Sequence, residues 1–211
     1  MTKIAGIILY FVLVTALPST LIAQRHYLPG YVVLQKGDTI YGKVKDRKPE
    51  PFGRIYGRIR FRDGGLFAKK FGSHELLAYK AGERFYESCW LSYQMSLFSS
   101  RMISVPGRGH KEFMRVMVKG PLSYYSIEHE QHESGYYNDI PYLKLEGNRE
   151  MVRATQGIFG LKRKQLAAYF RDCKELQRAI LEKEVNTVFE IVDFYHDHCQ
   201  INQYYNPDYQ R

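Results

Sequence analysis

Apolar and polar positions alternate through most of the first 150 residues, and the period turns helical only after Gly160. Residues 30–34 (GYVVL) and 39–44 (TIYGKV) are β-branched and aromatic and flank a Gly37-Asp38 turn signal, which predicts a β-hairpin. Pro49-Glu50-Pro51 ends it, because proline cannot donate to a ladder. Next comes the cleanest alternation in the chain. Ile55, Gly57, Ile59 and Phe61 share one parity, while Arg54, Tyr56, Arg58, Arg60 and Arg62 share the other. A period of two places the apolar set on one sheet face and four arginines on the opposite face. Asp63-Gly64-Gly65 turns the chain into a strand over 66–71, and another is expected over 75–80. Residues 84–111 hold Cys89, Trp90, Met95 and Met102 and read as short strands joined by a loop. Residues 113–118 and 122–128 pair across Lys119-Gly120. Polar residues 129–139 read as an exposed loop, and 142–145 and 150–153 as two edge strands. Many short strands separated by turns predict an antiparallel meander curled into a roll or half-barrel.

Helix formers without Gly or Pro fill 161–170. A second helix is expected from Asp172, with Glu175 at capping-box spacing and Leu176 and Ile180 on one face. Asn186-Thr187 interrupts the chain, and Val188, Ile191, Val192 and Tyr195 then follow the i, i+3, i+4, i+7 stripe. Cys173 lies on the first of these stripes and Cys199 extends the second. They are equidistant from the turn at 186, so an antiparallel helix hairpin brings them face to face. A Cys173–Cys199 disulfide is therefore expected, with Cys89 left as a buried thiol.

The start of the chain favours an oxidising destination. Lys3 precedes the uncharged apolar run 4–17, Pro18-Ser19-Thr20 breaks it, and Ala23 offers a small residue before Gln24. Residues 1–23 read as a secretory signal peptide. An uncleaved anchor is the rival reading, since 4–24 is 21 uncharged residues, just long enough to span a bilayer. No later segment has that length of apolar sequence, so no transmembrane helix is expected after Gln24. The 211 residues carry 31 Lys+Arg against 22 Asp+Glu, a formal charge of +9. An exported basic protein meets anionic lipid, cell-wall polymers and acidic proteins, and nucleic acid is not an expected partner.

Chemistry motifs are sparse. No phosphate loop, dinucleotide fingerprint, H-E-x-x-H or G-x-S-x-G is present. His129-Glu130-Gln131-His132 falls one residue short of the zinc motif, and His196 and His198, at i and i+2, would point to different helix faces. All four are weak metal candidates, and no cofactor is expected. The basic features are stronger: the arginine face at Arg54, Arg58, Arg60 and Arg62, and Lys162, Arg163 and Lys164 beside the first C-terminal helix. Either these form a solvated face that protects a sheet edge, or they bind an anionic partner. Eighteen tyrosines fit half-buried strand positions.

Gly30-Tyr31-Val32-Val33 followed by Gly37-Asp38-Thr39-Ile40 and Gly42-Lys43-Val44 resembles the opening hairpin of a family of exported envelope proteins of Bacteroidota-type bacteria. Residues 113–125 and the end of the chain, with Asp172-Cys173, Ile191-Val192, Tyr195 and Cys199, resemble that family too. The resemblance covers most of the chain after residue 23. It implies an envelope location, and because the family has no assigned activity, it carries over no catalytic residues to this chain. His196-Asp197-His198 departs from the Asn and aromatic residues expected after Tyr195.

The expected fold is α+β. Residues 1–23 form the signal, 24–159 an antiparallel β domain, 160–200 two or three helices, and 201–211 a polar tail. The function expected first is a non-catalytic module docking on an envelope protein or an anionic membrane surface. An unrecognised periplasmic hydrolase, or a carrier holding a small apolar ligand inside the curled sheet, are the alternatives.

Overall fold

A computed structural model describes residues 27–47, 57–65, 67–96, 99–130, 137–156 and 159–199. The expected signal segment 1–23, Arg54 and the expected tail 201–211 lie outside these residues. The fold is α+β, an antiparallel sheet followed by helices.

The opening hairpin forms as the pattern predicts, from β1 (Leu28–Leu34) and β2 (Thr39–Lys45). β3 (Ile59–Arg62), β4 (Lys69–Phe71) and β5 (Leu76–Ala81) follow. β6 (Arg84–Ser96) is one 13-residue strand where short pieces were expected. It is long because three neighbours share it: β5 pairs with its first residues, β8 with its middle and β7 with its end. β7 (Ser99–Ile103), β8 (His110–Val118), β9 (Leu122–Glu130), β10 (Tyr137–Leu145) and β11 (Glu150–Arg153) complete the sheet. Of the region expected as a loop over 129–139, residues 129–130 and 137–139 are strand, the end of β9 and the start of β10, and residues 131–136 lie outside the described residues. The two expected edge strands are interior, with β10 between β9 and β11, and β11 between β10 and β7.

The strand order is β4-β3-β2-β1-β5-β6-β7-β11-β10-β9-β8, and β8 pairs back onto β6. The last six strands therefore close into a barrel, more than the expected half-barrel, and the first five extend from it as an arm. Side-chain parity shows how the two parts curl. Leu91, Met102, Met114, Tyr125, Ile127, Tyr142 and Met151 fill the barrel interior. The opposite faces of β6 and β8 send Tyr86 and Phe113 into the arm's core, with Val32, Val44, Ile59, Phe61, Leu76 and Tyr79. One continuous sheet thus curls in two opposite senses. Gly30 and Gly42 face each other in the tight part of the arm. A Cβ on either would collide with a neighbouring strand's carbonyl oxygen, that of Lys80 or of Arg62. Only glycine permits that coiling.

Three helices cover the outer face of β9–β11: α1 (Arg163–Tyr169), α2 (Lys174–Leu181) and α3 (Val188–Phe194), the last continuing as a π-helical turn over Tyr195–Cys199. Leu122, Tyr124, Leu143 and Val152 meet Leu166, Phe170, Leu176, Ile180, Ile191 and Val192 there. The predicted stripe of α3 is the buried one. The cap of α2 is Cys173, not Asp172, and Cys173 makes no side-chain capping bond. The true capping box is one helix later, where Thr187 accepts from the Glu190 amide and Glu190 accepts from the Thr187 amide. Cys173 and Cys199 are bonded, with Cα atoms 5.6 Å apart.

Candidate functional site

The arm presents the most distinctive surface. Residues directly opposite in an antiparallel pair point to the same face. Lys45 faces Arg60, and Arg60 faces Lys70 on its other side. One residue pair further along, Lys43 faces Arg62. Five cations from β2, β3 and β4 therefore share the arm's outer face in two cross-strand rows. None forms an ion pair with an acidic side chain among the described residues. The Arg62 guanidinium instead lies 4.5 Å from the centre of the Tyr27 ring. Tyr41, two residues before Lys43, continues the face and is 75% exposed, with its ring 5.7 Å from that of Tyr31. The β3–β4 turn lies at the same end of the sheet and carries Phe67, 87% exposed.

The candidate basic residues fall in three places. Arg60 and Arg62 are in the rows just described. Arg58 precedes them and pairs with Glu75 at 3.0 Å. Lys162, Arg163 and Lys164 lie at the start of α1, which packs on β11 and α2, so the two basic groups occupy different elements. Arg163 turns inward and donates to the Ile180 and Val185 carbonyls, each at 2.8 Å, and to Asn186 Oδ1. It closes the C-terminal end of α2. Lys43, Lys45 and Lys70 were not singled out from the sequence. Lys43 and Lys45 share a parity with Tyr41, but only the strand register aligns them with the arginines.

The histidines have other surroundings. The His196 ring nitrogen Nε2 bonds the backbone of Leu122, 3.1 Å from its carbonyl oxygen. That ring rests on Gly120, where a Cβ would come within 2.9 Å of it. The His198 ring lies beside that of Phe194, centroids 4.6 Å apart and tilted by 53°. His129 lies in strand β9 opposite Asn138, and His132 lies outside the described residues. Among the described residues no group of three His, Cys, Asp or Glu side chains is placed to hold a metal ion.

A second charged cluster, invisible in the sequence, joins the arm to the barrel. Arg47 follows β2 and is 8% exposed. Its guanidinium donates to the Phe113 carbonyl at 2.8 Å and to the Tyr79 hydroxyl at 3.2 Å, and lies 5.0 Å from the Tyr86 ring centre. Glu128 of β9, 6% exposed, accepts from the Tyr86 hydroxyl at 2.9 Å and lies 3.4 to 3.8 Å from Arg115, Arg47 and Arg84. Tyr79 donates to Asp46 at 2.6 Å. Burial alone would lower the Arg47 pKa, but the surrounding Tyr79, Asp46, Tyr86 and Glu128 oxygens hold it above the usual value. Burial drives the Tyr79 and Tyr86 hydroxyls well above the usual range. Every member is satisfied by another, which marks a rigid joint.

Two further features lie away from the arm's outer face. A cleft of about 690 Å³ opens between α1 and the β10–β11 turn, lined by Arg101, Glu150, Lys162, Gln165 and Arg171 among others. Glu87, Lys119 and Tyr125 bond one another at 2.7 to 3.0 Å, next to the partly buried Cys89, whose thiol burial pushes up to about 12. No family model, curated protein or solved structure matches the chain. No helix among the described residues is long and apolar enough to cross a membrane.

Proposed function

We propose that the protein is an exported envelope protein that acts by docking, without chemistry of its own, and that the outer face of β2–β4 is its docking surface. The observation that carries this reading is the pair of cation rows, Lys45–Arg60–Lys70 and Lys43–Arg62. Like charges directly opposite on a sheet are destabilising. Edge protection accounts for charge on β4, which is the edge. It does not account for the four cations on β2 and β3 that share its face, because both are interior strands. An anionic partner relieves that repulsion. Export is supported by the leader-like residues 1–23 and by the Cys173–Cys199 bond, which is usual in oxidising compartments. The carrier reading loses weight because the barrel interior holds seven closely packed large side chains.

Fractionation of the producing cells tests the proposal. The protein should sediment with the envelope at low salt and leave it near 1 M salt, where the screening length falls to about 3 Å. The variant Lys43→Glu/Arg60→Glu/Arg62→Glu should be released at low salt. Retention of that variant would overturn the assignment of this face.

A further inference from the structure

We infer that the partner of the β2–β4 face is the surface of a bilayer containing anionic lipid, with Phe67 and Tyr41 entering the headgroup layer. The inference rests on the docking reading and adds the chemistry of the partner. It comes from the order of side chains along the face. From one end, the first row is Lys45, Arg60 and Lys70, the second is Lys43 and Arg62, and beyond them stand Tyr41 and the turn bearing Phe67. The cations thus form a two-dimensional patch about three strands wide, each strand about 4.8 Å from the next. An aromatic edge follows the patch.

A soluble polyanion would satisfy the cations and leave the aromatic edge unexplained. Phe67 has no polar group to offer such a ligand, yet it is the most exposed large apolar side chain of the described residues. A bilayer surface satisfies both. Phosphate groups meet the lysines and arginines, and rings sit at the boundary between headgroups and acyl chains. Tyr41 fits the same layer, with an apolar ring and a hydroxyl that stays hydrated. Lys side chains accommodate this placement because their stems lie along apolar surface while the ammonium reaches the phosphates.

The test uses the protein purified from the cells that make it. Sedimentation with vesicles of phosphatidylglycerol and phosphatidylcholine is compared with binding to inorganic polyphosphate. The wild type should bind mixed vesicles and not pure phosphatidylcholine. Phe67→Ala/Tyr41→Ala should weaken vesicle binding by about tenfold, the effect of withdrawing a large ring from an apolar layer, and leave polyphosphate binding unchanged. Lys43→Glu/Arg60→Glu/Arg62→Glu should lose both, by more than about tenfold. Circular dichroism and thermal midpoints confirm that each variant is folded. Polyphosphate binding without vesicle binding, or vesicle binding indifferent to Phe67 and Tyr41, would overturn the bilayer inference while the docking reading stands. Binding of either ligand that survives charge reversal would overturn both.

Discussion

Glu128 faces Arg47, Arg84 and Arg115 almost wholly out of water, Asp46 shares Arg47 and Arg84 with it, and the joint between arm and barrel depends on both carboxylates. Removing one partner of a buried charge cluster strands the others, a cost of about 3–5 kcal/mol. Glu128→Ala should therefore lower stability by about that amount in a urea titration. Glu128→Gln should cost less, because it still accepts from the Tyr86 hydroxyl. Equal midpoints for wild type and Glu128→Ala would show that the cluster does not hold the joint. Cys89 makes a second residue-scale test. With its thiol pushed up to about 12, it stays protonated at neutral pH, and the thiolate is the reactive form. Iodoacetamide should modify it slowly in the folded protein and rapidly in denaturant. The burial of Cys89 was expected from its neighbours, but the charge cluster was not legible in the sequence. Asp46, Arg47, Arg84, Arg115 and Glu128 come from four distant stretches of chain, and each taken alone is an ordinary surface charge.

The helical elements were the most legible, because their determinants are local. The stripe of α3 and the disulfide both followed from spacing. The loop closed by Cys173–Cys199 corresponds to about 3.5 kcal/mol in the chain-entropy model. Reduction should lower the denaturation midpoint accordingly, and an unchanged midpoint would refute that role. The capping box escaped notice because Asp172 and Glu175 offered the same spacing one helix earlier. There the chain places Cys173 at the cap. Glu190 has its pKa held below the usual carboxylate range, first by the Asn186 amide and then by Thr187. A depressed folded-state pKa contributes stability above the unfolded value, about 4.3, and that contribution disappears as pH falls through the lower folded value. The stability gap between wild type and Glu190→Gln should accordingly be present at neutral pH and shrink on acidification below that value. Thr187→Ala should cost about 1 kcal/mol. His196 reads as metal-like in sequence only because its partner, the backbone of Leu122, is 74 residues away.

At the scale of the whole molecule, a period of two shows which face a side chain takes but not which strand lies beside it. The parity of Ile59, Arg60, Phe61 and Arg62 was legible, and these residues do alternate buried and exposed. The register that sets Lys45, Arg60 and Lys70 in one row was not. Nor was barrel closure, which depends on β6 being long enough to pair with β5, β7 and β8. That closure gives the arm a rigid base, and the double curl turns the arm's apolar face inward and its cations outward. The most direct measurement is lysine acetylation of the protein in the membrane fraction of the cells that make it, compared with the salt-released form. Lys43, Lys45 and Lys70 should lose reactivity on the membranes, while Lys164, Lys174 and Lys183 on the helical side keep theirs. Undiminished reactivity at Lys43, Lys45 and Lys70, or protection of the helical lysines instead, would contradict docking through the basic face.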